Sequence, residues 1–331
     1  MSARALLALA GVALGGCASF EDPTIVRDLR VLAMRAEPPE QVVSVDPTQP
    51  VSDVLLDQLR TTEISALVAD PGAQRALRWS MTACLLDDND RCDRTLPHVD
   101  LGGAVLEDPE QALVPQVPTA LIAPADPQTR TTLAAMFLRA LEANPVQALG
   151  GIEYAVELRI GDVAGSPADD VVAIKRLRLA PRLPQARTAN ANPYIEHMDG
   201  ALGLTKVTVP AGVRCAAAAS EQLPQVAPGG ELTLYPVEPT SAREVYDAVT
   251  LDGQTVRLTE TIEYQWLSAY GTFSDDYTGG GRDLLGNQSL LGTDWRAPRG
   301  VGAPLRVSVW MIQRDERFGV TWFETCILVR P

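Results

Sequence analysis

Two imidazoles are all the histidine this chain offers: His98, in Pro97-His98-Val99-Asp100, and His197, in Tyr194-Ile195-Glu196-His197-Met198-Asp199. Neither belongs to a His-Glu-x-x-His zinc helix, and the sequence holds no Gly-x-Ser-x-Gly elbow or phosphate loop. A Ser-His-Asp triad needs no proximity in sequence, but nothing nominates its serine. Carboxylates are more plentiful. Asp87, Asp88, Asn89, Asp90 and Asp93 crowd one loop whose oxygens could meet calcium, yet their spacing lacks the sixth-position glycine of an EF-hand, so a solvated acidic turn is expected. The same holds for Asp275-Asp276-Tyr277 ahead of Gly279-Gly280-Gly281. Glu260 and Glu263 could in principle act as a glycosidase's acid and base, though such a pair recurs by chance along any strand. No catalytic residue, metal ligand or cofactor is nominated, and a non-enzymatic protein is expected.

The N-terminus has sharper chemistry. Arg4 is the only charge before the apolar run Ala5 to Leu14, and Gly15-Gly16-Cys17 follows, which is the layout of a secretory signal. The run is too short to span a bilayer. Leu14-Gly15-Gly16-Cys17 resembles the lipobox of signal peptidase II substrates. That resemblance implies a signal peptide over 1–16, a lipidated tether over 17–24, diacylglycerol on the Cys17 sulfur and an acyl group on its amine. Each buried methylene contributes roughly 0.8 kcal/mol, so three chains would hold the protein to a membrane permanently. Ala18, where retained lipoproteins often carry Asp, favours the outer membrane and leaves the leaflet open. The competing reading is an ordinary signal peptide cut elsewhere, with Cys17 left as a free thiol.

With Cys17 lipidated, Cys84, Cys92, Cys215 and Cys326 remain, an even set suited to an oxidising compartment. Three pairings are open. The local one is simplest, because Cys84 and Cys92 flank the short polar loop Leu85 to Arg91; Cys215 and Cys326 would then close a long one. Four buried thiols is the alternative, and zinc is disfavoured because no Cys-x-x-Cys or nearby His completes a site.

About 315 residues remain after processing, enough for two ordinary domains. The formal net charge is −14, and losing Arg4 makes the mature chain one unit more negative. That balance disfavours nucleic acid and anionic lipid as partners. Lys175 and Lys206 are the only lysines.

The elements that would position these residues are mostly strands. Ile64, Ala66 and Val68 alternate with Glu63 and Ser65; Leu77, Trp79, Met81 and Ala83 with Arg78, Ser80 and Thr82; and Ile152 to Ile160 with Glu153, Ala155, Glu157 and Arg159. Period two predicts one buried and one wet face. The expected fold class is mainly β, with a first β-sandwich over 25–181. A helical insertion is predicted at about 126–144: Asp126 caps, Pro127 suits the first turn, and Leu133, Met136, Phe137, Ala140 and Leu141 share a face until Asn144-Pro145. A weaker helical pattern runs Val51, Val54, Leu55, Leu59, and Leu106 to Pro127 is expected to run extended over the surface. Pro181, Pro184 and Pro193 mark an aperiodic linker, 182–193. A second β-sandwich follows over 194–331, with strands at Glu231 to Val237, Ile262 to Tyr270, Leu305 to Arg314 and Val320 to Val329; the last two flank the turn Asp315-Glu316-Arg317-Phe318-Gly319.

Tyr264-Gln265-Trp266, Gly271-Thr272-Phe273, Trp295 to Pro298 and the Asp315-x-Arg317 turn together resemble immunoglobulin-like modules of the PKD and bacterial Ig-like kind. With Asp28 to Leu32 soon after a lipidated Cys17, and Trp79 ahead of Cys84, the combination is similar to uncharacterised predicted lipoproteins of myxobacteria. The resemblance implies two immunoglobulin-like sandwiches, the first carrying the helical insertion. In such a fold a first-edge strand lies beside the last strand, which would bring Cys215 to Cys326. Phe318 departs from the glycine usual in such turns. Fold likeness implies no activity.

The function expected is a membrane-anchored envelope lipoprotein with an interaction or scaffolding role, bound to an envelope protein partner and to the membrane through Cys17. A polysaccharide or peptidoglycan binder would instead expose Trp310 and Trp322 with Tyr270 and Tyr277 nearby, whereas Trp79 and Trp266 read as core, and burial of the hairpin tryptophans is preferred. A hydrolase is the third reading. A tether of Ala18 to Pro23 extends at most about 3.5 Å per residue, which would keep the first body close to the membrane.

Overall fold

A computed structural model describes residues 22–44, 53–71, 75–106, 116–143, 150–216, 218–250, 252–282 and 289–331. The expected signal peptide, Cys17 and most of the tether lie outside the described residues, as do Val51, 107–115 and Asn144-Pro145.

The chain is mainly β. Its first part runs β1 (Arg30–Glu37), β2 (Glu40–Val43), a short helix α1 (Asp53–Leu56), β3 (Thr62–Ala69), β4 (Leu77–Cys84), β5 (Val99–Leu106), β6 (Ala120–Ile122), helix α2 (Pro127–Ala143), β7 (Ile152–Asp162) and β8 (Val171–Pro181). Two sheets result, β1-β3-β6 and β2-β8-β7-β4-β5. Period-two residues of both, among them Met34, Ile64, Trp79, Met81, Val156 and Leu158, meet in one core. The insertion helix forms as predicted: the Asp126 carboxylate accepts the Thr129 N–H at 2.7 Å, which satisfies one orphan donor of its first turn. Its buried Leu133, Met136 and Phe137 seal the core, and Phe137 meets Tyr154 edge-on at 5.7 Å. The segment Leu106 to Pro127 was expected to run over the surface. Instead it supplies β6, paired to β3 with Ala120 and Ile122 buried, because its alternating apolar residues complete a sheet edge.

The second part runs β9 (His197–Leu202), β10 (Thr205–Val209), β11 (Gln225–Val226), β12 (Glu231–Val237), β13 (Val245–Val249), β14 (Thr255–Thr259), β15 (Ile262–Ser268), β16 (Thr272–Phe273), β17 (Tyr277–Gly279), β18 (Thr293–Arg296), β19 (Leu305–Asp315) and β20 (Val320–Val329). The sheets β10-β9-β12-β18-β16 and β11-β20-β19-β15-β17 enclose Tyr264, Trp266, Trp295, Val307, Val309 and Met311. The Trp266 indole N–H donates to Thr278 Oγ1 at 2.9 Å, so the ring is buried without an orphaned donor. Strands β13 and β14 pair only with each other and form a separate hairpin.

The two disulfides are Cys84–Cys92 and Cys215–Cys326, the pairing that local closure favoured. Cys326 lies on β20, beside the short parallel strand β11.

A third cluster joins the two parts. Leu32 and Ala33 of β1 and Leu67 and Ala69 of β3 pack with Leu267, Trp310, Ile312 and Val320 of the C-terminal sheet. Alternation predicted a wet second face on β3, while burial of Trp310 was the preferred reading on β19. Here the second face is covered at Leu67 and Ala69 of β3 and at Trp310 and Ile312 of β19, because each sheet's outer face packs on the other's, while Glu63 stays exposed. The chain entry joins the same seam: Ile25 bridges Ser268, the Val26 N–H donates to Ser268 O at 2.8 Å and the Ser268 N–H to Thr24 O at 2.9 Å. Residues 182–193, expected as a linker, carry no strand but are pinned in place. Arg187 pairs with Glu40 at 2.6 Å, and Asn192 donates to Ala36 O at 2.7 Å and accepts the Val320 N–H at 2.8 Å. Proline and asparagine here prevent regular structure without releasing the chain.

Candidate functional site

The residues nominated for chemistry are dispersed. His98 holds its Nδ1 2.9 Å from Leu96 O, and the exposed His197 sits 3.4 Å from Asp199. In the acidic loop after Cys84, Asp87 accepts the Asn89 and Arg91 N–H groups and Asp93 accepts from Thr95, while Asp90 pairs with Arg176 of β8. These bonds hold the Asp87 and Asp93 carboxyls below their ordinary range, Asp87 chiefly through the Arg91 N–H and Asp93 through the Thr95 hydroxyl. The loop's base is fixed by buried Glu157. Burial pushes its carboxyl up, but Arg159 at 2.7 Å, the Cys92 N–H at 3.2 Å and Arg94 bring it net below the usual range. Among the described residues no three His, Cys, Asp or Glu side chains are placed to hold a metal ion. Trp79, Trp266 and Trp310 are buried; Trp322 is half-buried beneath Arg35, while Tyr270 and Tyr277 are exposed. The hairpin tryptophans thus form no open ring platform.

What the fold does assemble is a polar clasp at the seam. Arg317, 5% exposed in the β19–β20 turn, reaches Glu40 at 2.7 Å and Glu244 at 3.2 Å, and its guanidinium lies 4.4 Å over the Tyr246 ring. Glu40 also takes the Asn190 N–H at 3.0 Å, so one carboxylate on β2 gathers the linker and the terminal turn. Asp315 accepts the Arg317 and Gly319 N–H groups, each at 2.7 Å, and the Asn190 amide at 3.1 Å. A side chain at Gly319 would strike the Asp315 carboxylate, which explains the glycine there. Phe318 takes the left-handed conformation, φ 75°, at a position where resemblance led us to expect glycine. Such a conformation costs about 1–2 kcal/mol. Strand β8 offsets it: Arg178 sits 4.7 Å over the Phe318 ring, and the Lys175 ammonium donates to the Phe318 carbonyl.

Glu260 closes the clasp, 2% exposed and facing Glu244 and Asp315. Burial first, then repulsion from those two carboxylates, pushes its carboxyl up to about 8. A folded-state value above the unfolded one stabilises fully below pH 4–5, and that contribution is lost as pH climbs through about 8. Glu244 and Asp315 are shifted upward too, mainly by burial, and act with the same sign. Thermal unfolding should therefore show the protein more stable at pH 5.5 than at pH 8. Glu260→Gln should flatten that difference and stabilise the protein at pH 8 by roughly 2 kcal/mol; an unchanged pH profile would refute the assignment.

Beside the clasp, β1, β8 and the β19–β20 turn enclose a cleft of about 490 Å³. Leu32, Met34, Ala173 and Val320 supply apolar wall, and Lys175, Arg176, Arg314, Asp90 and Asp315 supply charge. Burial pulls the Lys175 amine down to about 8, against attraction from Asp315 and with a smaller push from the Arg314 charge. Neither Lys175 nor Arg314 was singled out for chemistry by the sequence. The rarity of lysine was the one available hint.

Hairpin β13–β14 stands apart from both cores. Val245, Val249, Val256 and Leu258 are each at least 36% exposed, and its base is held by Tyr246, whose hydroxyl donates to Glu316 at 3.3 Å.

No family model matches the chain, and no curated protein matches its sequence. Among solved structures, a red sea bream transglutaminase aligns with 92% of this chain and 32% of its own, at 8% identity and a TM-score of 0.24. The chain spans about a third of that protein's length, and a likeness of this size carries no argument about fold or activity.

Proposed function

We propose that this chain is an outer-membrane lipoprotein, anchored through lipid on Cys17, that serves the cell envelope as a non-catalytic interaction or scaffolding module. In this reading two immunoglobulin-like sandwiches, 25–181 and 194–331, form one unit. Two separate cores between paired sheets support that division, as does the short strand β11 running parallel beside the last strand. The observation that carries the interaction role is the β13–β14 hairpin. An isolated two-stranded hairpin is marginally stable in water. This one nonetheless exposes four large aliphatic side chains and unpaired strand edges, and such edges recruit other chains. The envelope partner is accordingly a protein that adds a strand to this arm. The chain entry packs beside Ser268, so the second sandwich lies as near the membrane as the first.

Two variants test the reading. Cys17→Ala should release the protein from the membrane fraction and remove its lipid-blocked N-terminus; a variant that stays membrane-bound would sink the anchor. Val256→Asp with Leu258→Asp should abolish in-cell crosslinking to a stoichiometric partner recovered with wild type, while leaving the thermal midpoint within a few degrees. An undiminished crosslink in the double variant would remove the hairpin from the interface.

A further inference from the structure

The geometry points to the cleft between β1, β8 and the β19–β20 turn as a binding site for a small amphipathic carboxylic acid, its head group between Lys175 and Arg314 and its apolar body along Leu32, Met34 and Val320. Four observations carry this.

Lys175 is only 4% exposed, yet it lines the cleft. Among the described residues its one hydrogen bond is to the Phe318 carbonyl, and an ammonium has three donors. Arg314 is comparable: its guanidinium donates to Gln265 Oε1 at 2.8 Å and to Leu32 O at 3.4 Å. Among the described residues neither cation has a carboxylate within ion-pair distance, although this chain carries 42 acidic against 28 basic residues. Buried charges are ordinarily paired.

The two acids that line the cleft have other partners. Asp90 is held by Arg176, and Asp315 is occupied by two turn N–H groups and Asn190, with burial pushing its carboxyl toward the neutral form. Asp315 attracts the Lys175 charge from beyond ion-pair distance and Arg314 repels it more weakly, so an anion seated between the two cations would give each the direct partner it lacks. The turn that places Arg314 and the Phe318 carbonyl is itself held in a left-handed conformation, a kind of local cost that clusters at binding sites.

The walls select the ligand class. The volume, about 490 Å³, is that of a small-molecule pocket, and aliphatic side chains form its sides. A bare inorganic anion would leave those walls wet. A carboxylate with a short hydrocarbon or ring body satisfies both parts.

Lysine scarcity makes the test direct. Protein labelled with carbon-13 at the lysine side chain should give two ε signals, Lys175 and the exposed Lys206 of β10, assigned by their loss in Lys175→Gln or Lys206→Gln. Titration with octanoate should shift the Lys175 signal saturably and leave Lys206 in place, while octanol at equal concentration should move neither. Arg314→Gln should weaken the octanoate response at least tenfold. The site is refuted if octanoate moves neither signal or both alike, if octanol matches it, or if Arg314→Gln binds as wild type. Should Lys175→Gln not fold, Lys206→Gln still assigns both signals.

Discussion

Arg317→Ala should lower unfolding free energy by about 3–5 kcal/mol in urea titration, the range for removing one partner of a buried ion pair. Its guanidinium reaches Glu40, Glu244 and the Thr188 carbonyl and stacks on Tyr246, so four groups on three segments lose a partner at once. Glu40, 1% exposed, would keep Arg187 and the Asn190 N–H but lose one of its two ion pairs. Arg317→Lys should recover only part of the loss, since a single ammonium cannot fork between two carboxylates and lie flat on a ring. Arg296→Ala is the control. Its pair with Glu231 is about half exposed on both sides and should be worth well under 1 kcal/mol. Equal losses in the two alanine variants would mean that the clasp contributes nothing beyond a surface pair.

The second large effect belongs to the disulfides, and loop length ranks them. Cys215–Cys326 spans 111 residues and Cys84–Cys92 spans 8. On chain-entropy grounds the long closure stabilises by about 4.7 kcal/mol and the short one by about 2.6 kcal/mol. Replacing both cysteines of the long bridge with serine should therefore lower the unfolding free energy more than the same change at the short one. The long bridge also packs with Leu223 and Leu328, so serine hydroxyls there add the cost of buried polar groups. If the short-bridge variant proves the less stable, the acidic loop it closes is more important to folding than its length implies.

Much of the scaffold was legible along the chain. Glu231–Val237 and Val320–Val329 were read as strands with the bounds the structure shows, because clear alternation and turn residues bracket them. Helix α2 was equally plain from its Asp126 cap and apolar stripe. The clasp and the cleft were not. Glu40, Arg187, Asn190, Glu244, Glu260 and Arg317 come from distant segments and look like surface polar residues one at a time. Only their convergence buries them. Leu67 offered a hint, since an apolar residue on the supposedly wet side of β3 meant that something covered that face, as did the preferred burial of Trp310 on β19.

The sequence alone determined what depends on neighbours in the chain: period-two strands, the capped helix and the short loop between Cys84 and Cys92. These follow from local sterics, hydrogen bonding and side-chain alternation, all readable within a dozen residues. Tertiary structure decided which outer faces meet, that residues 182–193 form a fastener rather than a spacer, and that Lys175 and Arg314 share one cleft. The reason is physical. The cost of burying a charge, and the partner that offsets it, are set by distances in space between segments whose separation along the chain carries no signal.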